Sequence, residues 1–453
     1  MNNQDRFTIG GEVIFEPTDE ADEADARREQ QALDDLRVRM GTLLKTESVS
    51  LLLGAGASVA CGGPLIGKVP VAVEQKLHEE GVSGGASPRV RNWLKIFYLA
   101  VRRAGGMATV PIARDAILER HESLRAYGAE PIAVNFERVL ALMHRWRAAM
   151  NGGGGRLRLD SSPSVNVGSK DLEASLVHTT RALARTCDLP TEGKHGELSS
   201  FKTFVRKLLT RPLNLKRVNV FTLNYDTLVE QAADSEGVVL LDGFIGTQRR
   251  VFRPECYEQD LYFPAETTEG RVHRFDRVLH LYKLHGSITW TASEPTIDNP
   301  YGVESGPYDP QCSRALLIYP TPAKYGETLG LPYSELFRRF AGAIARPQSV
   351  LIIIGYGFGD EHVNTIIRQA LAVPSFTLVI VDPSPRSEFV TSLRGQDDRR
   401  VWVAEGPILG KFKGFVDHLL PDLRDEEIRR KVLATHRALS QMERAPGDVS
   451  DGD

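Results

Sequence analysis

Residues Ser48 to Pro64 read SVSLLLGAGASVACGGP. A short apolar run, Val49 to Leu53, passes at once into Gly54-Ala55-Gly56-Ala57-Ser58. A run of that length bounded by glycines predicts a buried parallel strand entering a tight turn. Gly54 and Gly56 lack Cβ, so the backbone there can take positive φ and come close to a ligand. A helix beginning after the turn would aim free N–H groups and its positive dipole end at one point, which suits a pyrophosphate. An ordinary strand-to-helix turn uses the same glycines.

Two common phosphate-binding patterns fail here on spacing. A dehydrogenase fingerprint, G-x-G-x-x-G, needs glycine where Val59 stands. Gly62 to Lys68 has the spacing of a nucleotide-triphosphatase loop, but Val69 occupies the place of the Mg²⁺-binding hydroxyl and Pro70 follows. No strand immediately precedes Gly62, so that context is missing too.

At 453 residues the chain can bury a large core, with room for two lobes. A hydrophobic content of 42%, a charged content of 25% and a net charge of −3 describe a globular protein with no global reason to bind nucleic acid. No apolar run reaches spanning length and the N-terminus is no signal peptide, so the expectation is a cytoplasmic protein with no membrane partner. The four cysteines, Cys61, Cys187, Cys256 and Cys312, form no C-x-x-C pair, so neither a zinc ribbon nor a disulfide framework is expected.

Along the chain, residues 1–47 read as an acidic arm and a helix. Glu12 to Phe15 is a candidate strand, Glu16 to Asp25 holds six acids and no base, and Ala24 to Leu44 has helical spacing. The acidic run reads as a solvated arm or as a surface for a basic partner or neighbouring subunit. Residues 65–215 read as a mainly helical lobe: Trp93 to Arg103, Ile112 to Leu124, Val134 to Met150, Leu172 to Cys187 and Ser199 to Leu209. Asn151 to Gly155 and the polar stretch to about Lys170 read as a flexible loop.

From Arg217 onward short strands alternate with helices. The strands are Arg217 to Thr222, Leu279 to Leu284, Ala315 to Tyr319, Val350 to Ile354 and Phe376 to Val381; helices are expected at Thr227–Ala233 and Glu361–Leu371. Near-continuous aliphatic runs belong to strands covered on both faces. The fold class is therefore α/β, a Rossmann-like doubly wound parallel sheet with a large helical insertion. Residues 48–410 would form the main domain, and 411–453 a helical segment, with Phe412 to Leu420 amphipathic and Asp425 to Arg444 charged, ending in a polar tail.

In such a sheet ligands bind at the carboxyl ends of the strands. Those ends carry Gly54 to Ser58, Thr222-Leu223-Asn224-Tyr225-Asp226, His285-Gly286-Ser287, Gly355-Tyr356-Gly357-Phe358-Gly359-Asp360 and Asp382-Pro383-Ser384. Taken singly, each has a plain explanation. Asp226 and Asp360 would cap helices, Asp382-Pro383 would make a turn, and His285 would be a core histidine.

In this order the motifs resemble those of the Sir2 (sirtuin) superfamily of NAD⁺-consuming enzymes: G-A-G-x-S, T-x-N-x-D, H-G, G-T-S-x, which stands here as Gly355-Tyr356-Gly357-Phe358, and a residue for the adenosine ribose, here Asp382. The chain departs from the deacylating branch. Ile66 and Gly67 stand where a Phe-Arg pair would be, and the zinc module is missing, so no zinc is expected. T-L-N-Y-D, K-L-H-G-S and G-Y-G-F-G-D look like the bacterial Sir2-like branch of antiphage defence, and Asn135-Phe136-Glu137 looks like that branch's segment near the nicotinamide pocket.

The resemblance implies a gated NAD⁺ nucleosidase giving nicotinamide and ADP-ribose, with NAD⁺ as substrate. It implies a homo-oligomer and a separately encoded HerA-type hexameric ATPase as partner. The alternatives are a sensor that binds NAD⁺ or ADP-ribose without turnover, and an NAD-dependent deacylase. Carried over to this sequence, Gly54, Ala55, Gly56 and Ser58 would cradle the pyrophosphate. Asn224 would hold ribose hydroxyls or the attacking water, and His285 would act as base or polarise a hydroxyl. Thr222 and Asp226 would shape the ribose pocket. Gly355, Tyr356 and Gly357 would line the phosphates, and Asp382 would accept from the adenosine ribose.

Overall fold

The strand Ser48–Leu53 is buried at every residue, as its unbroken apolar run requires. Leu51 and Leu53 enter the core on one side of a sheet, and Leu52 enters the core on the other. This computed structural model describes residues 4–17, 23–83, 89–105, 111–126, 132, 134–151, 156–161, 164–189, 195–263, 273–311, 315–317, 332–425, 430–432 and 434–435. Cys312, residues 18–22 of the acidic run, Gly152 to Gly155 and most of the expected helix Asp425 to Arg444 lie outside the described residues.

Among the described residues the main sheet has nine strands: β1 (Arg6–Ile9), β2 (Glu12–Phe15), β3 (Ser48–Leu53), β4 (Asn219–Thr222), β5 (Val239–Leu241), β6 (Val278–Lys283), β7 (Ser349–Ile354), β8 (Phe376–Val381) and β9 (Val401–Glu405). Their order is β2-β1-β9-β8-β7-β3-β4-β6-β5. From β9 to β5 all neighbours are parallel. The chain leaves β3 toward β4 and later returns to its other side as β7, so the order reverses between β3 and β7. That reversal makes a crevice at the carboxyl ends of the two strands. The fold is α/β and Rossmann-like.

One face is covered by α1 (Glu23–Leu43), α7 (His195–Leu208), α8 (Leu228–Ser235) and the segment Phe412 to Leu419, whose Phe412, Phe415, Val416 and Leu419 are all buried. The other face is covered by α9 (Tyr333–Ile344), α10 (Glu361–Leu371), α11 (Glu388–Arg394) and a second, antiparallel sheet that contributes Phe244, Phe252 and Trp290. Helices α2 (Val69–Gly81), α3 (Asn92–Arg103), α4 (Arg114–Arg125), α5 (Phe136–Asn151) and α6 (Ser169–Cys187) pack around a third core of Leu77, Trp93, Phe97, Leu140 and Leu176.

Three expectations change. Ala315–Leu317 is not a parallel strand; it pairs antiparallel with Gly286–Ala292 in the second sheet, while Ile318 and Tyr319 lie outside the described residues. A short aliphatic run carries no information about which sheet it joins. The stretch before Lys170 is not wholly loop, because Arg156–Ser161 and Ser164–Gly168 form an antiparallel hairpin. The first residues are not simply an arm: β1 pairs antiparallel with β9, and β2 with β1, extending the main sheet.

Candidate functional site

The parallel registers level the strand ends. Leu53 lies opposite both Ile354 and Thr222, Thr222 opposite Lys283, and Ile354 opposite Val381. The residues that follow therefore form one rim across five strands, β8-β7-β3-β4-β6. Four inter-strand spacings make that rim about 19 Å long.

At the crevice, the loops after β3 and β7 touch through their backbones. Gly54 N–H donates to Ile354 O at 3.0 Å and Gly56 N–H to Gly355 O at 2.8 Å. A Cβ on Gly54 would stand 2.6 Å from Gly355 O, and one on Gly56 2.7 Å from Gly355 Cα. The expected positive φ is absent at Gly54, which is extended at φ −108°. It occurs instead at Gly355, at φ +66°. The glycines after β3 thus make room for the neighbouring loop, and the two N–H groups expected to cradle a phosphate are given to backbone carbonyls. The turn does continue into a helix, a 3-10 segment over Ala55–Cys61.

Ser58, Asn224 and Asp226 converge beneath this contact. Asn224 Nδ2 donates to Ser58 Oγ at 2.9 Å and to Gly54 O at 3.0 Å, and Ser58 Oγ donates to Asp226 Oδ2 at 2.6 Å. Both hydrogens of the Asn224 amide are committed, leaving Oδ1 as the atom able to accept from a ligand hydroxyl or a water. Thr222 sets the turn: its Oγ1 accepts Asn224 N–H at 3.0 Å and donates to Leu53 O at 3.3 Å. Buried Lys283 anchors the far side, donating to Asp226 O and to Glu230 Oε1 at 2.8 Å. Cys187 lies close enough to Asp226 to feel its charge; burial first and that carboxylate second push the thiol up to about 12, against the opposing charge of Lys283.

His285 is buried in the adjacent loop, between β6 and Gly286–Ala292. That loop is strapped to the Asn224 loop at both ends, by Leu284 N–H to Thr222 O at 2.9 Å and Ile288 N–H to Tyr225 O at 3.1 Å. Tyr225 also packs against the helical lobe's core. His285 Nε2 is 3.1 Å from Asp360 Oδ2. Asp360 stood in the sequence only as a helix cap, which it is: Oδ1 accepts from His362 N–H at 3.0 Å. Its second role was not visible because 75 residues separate it from His285.

Tyr356 turns inward. Its hydroxyl accepts Asp360 N–H at 3.0 Å and lies 3.1 Å from Asn364 Oδ1, so its ring braces the loop. Gly357 has nothing within 4 Å of a Cβ position, which leaves that backbone open to a close neighbour. At the far end of the rim, half-buried Asp382 accepts Ser384 N–H through Oδ1 at 2.7 Å, and burial pushes its carboxyl above the usual range. Asn135 is exposed, with Oδ1 accepting Arg138 N–H at 3.1 Å, and Phe136 is buried at the start of α5 within the lobe's core.

Residues 218–404 match the family model described as a SIR2-like domain. That stretch runs from β4 to β9 and carries Asn224, Asp226, His285, Gly355, Tyr356, Gly357, Asp360 and Asp382. No curated protein matches the chain. Among solved structures, the crystal structure of a Sir2 homologue–NAD complex is similar at 12% identity and a TM-score of 0.32, over 87% of this chain and 94% of that one. Over residues 218–404, a little over two fifths of its length, this chain is similar to a SIR2-like domain.

Proposed function

We propose that the chain is an NAD⁺ nucleosidase that cleaves the nicotinamide–ribose bond to give nicotinamide and ADP-ribose. The observation that carries this reading is the strapping of the Asn224 and His285 loops side by side, at one end of a rim that runs to the Asp382 carboxylate. A long ligand with a reactive ribose at one end and an adenosine ribose at the other fits that arrangement. The open backbone at Gly357 lies between the two ends.

The glycosidic bond breaks with its electron pair going to the pyridinium nitrogen, so nicotinamide leaves neutral and needs no acid. The ribose passes through an oxocarbenium-like state, as in other glycosyl transfers. Water adds to the anomeric carbon and gives its proton to a base. Asn224 Oδ1 orients a ribose hydroxyl or that water. His285 takes the proton or polarises a ribose hydroxyl, work suited to a neutral imidazole. An unregulated NAD⁺ hydrolase would harm its own cell. We therefore read the chain as a gated cytoplasmic effector of antiphage defence, acting as a homo-oligomer and with a HerA-type ATPase. That context rests on the T-L-N-Y-D, K-L-H-G-S and G-Y-G-F-G-D wording.

The test is NAD⁺ turnover by purified protein, with nicotinamide and ADP-ribose quantified by chromatography. His285→Ala should lose roughly 10²–10⁴ in rate while the fold survives. A fully active His285→Ala would remove His285 from the mechanism. A wild type that binds NAD⁺ without turning it over, alone or with its partner, would favour the sensor reading.

A further inference from the structure

We propose that Asp360 is a positioning residue that fixes the tautomer and orientation of His285, holding the imidazole hydrogen on Nε2. The inference rests on the reading of His285 given above. Both side chains are buried, at 4% exposure for His285 and 6% for Asp360. A carboxylate can only accept, so its 3.1 Å contact with Nε2 places the imidazole hydrogen on Nε2 and the lone pair on Nδ1.

Asp360 is itself held from several sides. Oδ1 accepts from His362 N–H at 3.0 Å and Val363 N–H at 3.5 Å at the start of α10, so the carboxylate plane is set before Oδ2 meets the histidine. The Tyr356 hydroxyl accepts Asp360 N–H at 3.0 Å and lies 3.0 Å from Asp360 O. Asn364 Nδ2 donates to Phe358 O at 2.9 Å. Phe358 sits at φ +56°, a conformation that a bulky residue keeps only where its surroundings hold it. Glycine 355 and Phe358 thus bend the loop so that its fifth residue after Gly355, a helix cap, reaches across to the end of β6.

His362 also lies on this side, with Phe337 between: Phe337 is 6.2 Å from the His285 ring and 4.7 Å from that of His362. Glu361 pairs outward with Arg368. The carboxylate of Asp360 is in direct hydrogen-bond contact with the His285 imidazole.

Asp360→Asn separates the two roles, because Asn caps a helix as well as Asp but carries no charge. The measurements are kcat, KM and the pH profile of NAD⁺ turnover, together with the titration of His285 followed by NMR on ¹³C-labelled imidazoles. In Asp360→Asn the proposal expects kcat to fall about 10²-fold, at the lower end of a base's contribution. KM and thermal stability should stay near wild type. The His285 midpoint and the acid limb of the profile should move down by about one pH unit or more, since the carboxylate no longer favours imidazolium. Asp360→Ala should add a loss of stability from the missing cap. Unchanged kcat with an unmoved His285 midpoint in Asp360→Asn would overturn the proposal, and so would a loss confined to KM. If the wild type turns over no NAD⁺, alone or with its partner, the functional reading fails, and the NMR midpoint alone then decides whether Asp360 governs His285.

Discussion

Gly54 and Gly355 approach so closely that a Cβ on either would overlap the other loop's backbone: 2.6 Å to Gly355 O from Gly54, and 2.6 Å to Ala57 N from Gly355. The contact joins the loops of β3 and β7 where the strand order reverses. Gly355→Ala adds a left-handed φ to that overlap and should cost about 2–5 kcal/mol, read as a lowered Tm. Gly357→Ala meets open space and should keep the wild-type Tm while weakening NAD⁺ binding. Wild-type affinity in Gly357→Ala would show that no phosphate approaches that backbone.

The Ser58–Asn224–Asp226 cluster predicts a split between binding and turnover. Asn224→Ala should retain NAD⁺ affinity better than kcat, because its Oδ1 is the group left for the reacting ribose or water. Calorimetry that finds no binding at all would make Asn224 a binding residue. Ser58→Ala leaves Asp226 Oδ2 and one Asn224 hydrogen without their present partner, and should lower stability by about 1–3 kcal/mol in denaturant titrations.

Asp382 should discriminate against NADP⁺, whose 2′-phosphate a carboxylate repels. Asp382→Asn should narrow the ratio of kcat/KM for NAD⁺ over NADP⁺. Burial holds the Asp382 carboxyl above the usual range, so its neutral form appears at higher pH than for an exposed aspartate. The discrimination should accordingly fade as pH falls. A ratio indifferent to both changes would place the adenosine ribose elsewhere.

His78 in the helical lobe predicts a pH-dependent stability. It is buried, with Nε2 2.5 Å from the Tyr98 hydroxyl, which donates to Glu74 at 2.6 Å; Arg120 grips both oxygens of Glu74 at 2.8 Å. Burial first, then the charges of His121 and Arg120, lower its pKa to about 3. Below its ordinary value near 6.5 the unfolded chain takes up a proton that the folded one refuses until about 3. Its contribution is thus whole above that ordinary value and is lost as pH falls through the interval, by as much as a few kcal/mol. His78→Gln should flatten Tm against pH between about 6.5 and 4; an unaltered slope would mean another group sets it.

Cys187 reports on the Asp226 corner. With its thiol at about 12 it should alkylate very slowly at neutral pH. Asp226→Asn removes the carboxylate that adds to that shift, so the pH at which Cys187 begins to react should drop. Rapid labelling of Cys187 in the folded wild type at pH 7 would contradict a thiol held that high.

Much of the architecture could be read from the chain. The aliphatic runs at β3, β7 and β8 announced strands buried on both faces, and α10 falls on its expected bounds, Glu361–Leu371. Ala315–Leu317 shows where such reading ends. Its composition suits either sheet, and only pairing with Gly286–Ala292 made it antiparallel. Likewise β5, β9 and the pairing of β1 with β9 depend on partners far away in sequence.

The same division holds at the site. Sequence alone determined which residues stand at the carboxyl ends of the strands, because periodicity and glycine punctuation are local properties of a chain. Tertiary structure decided what those residues touch. It turned the Gly54 and Gly56 amides toward carbonyls of the next loop, bound Asn224 to Ser58, and brought the Asp360 carboxylate onto His285. Those contacts join segments dozens to hundreds of residues apart. Their geometry is set by strand order and register, which no local pattern encodes.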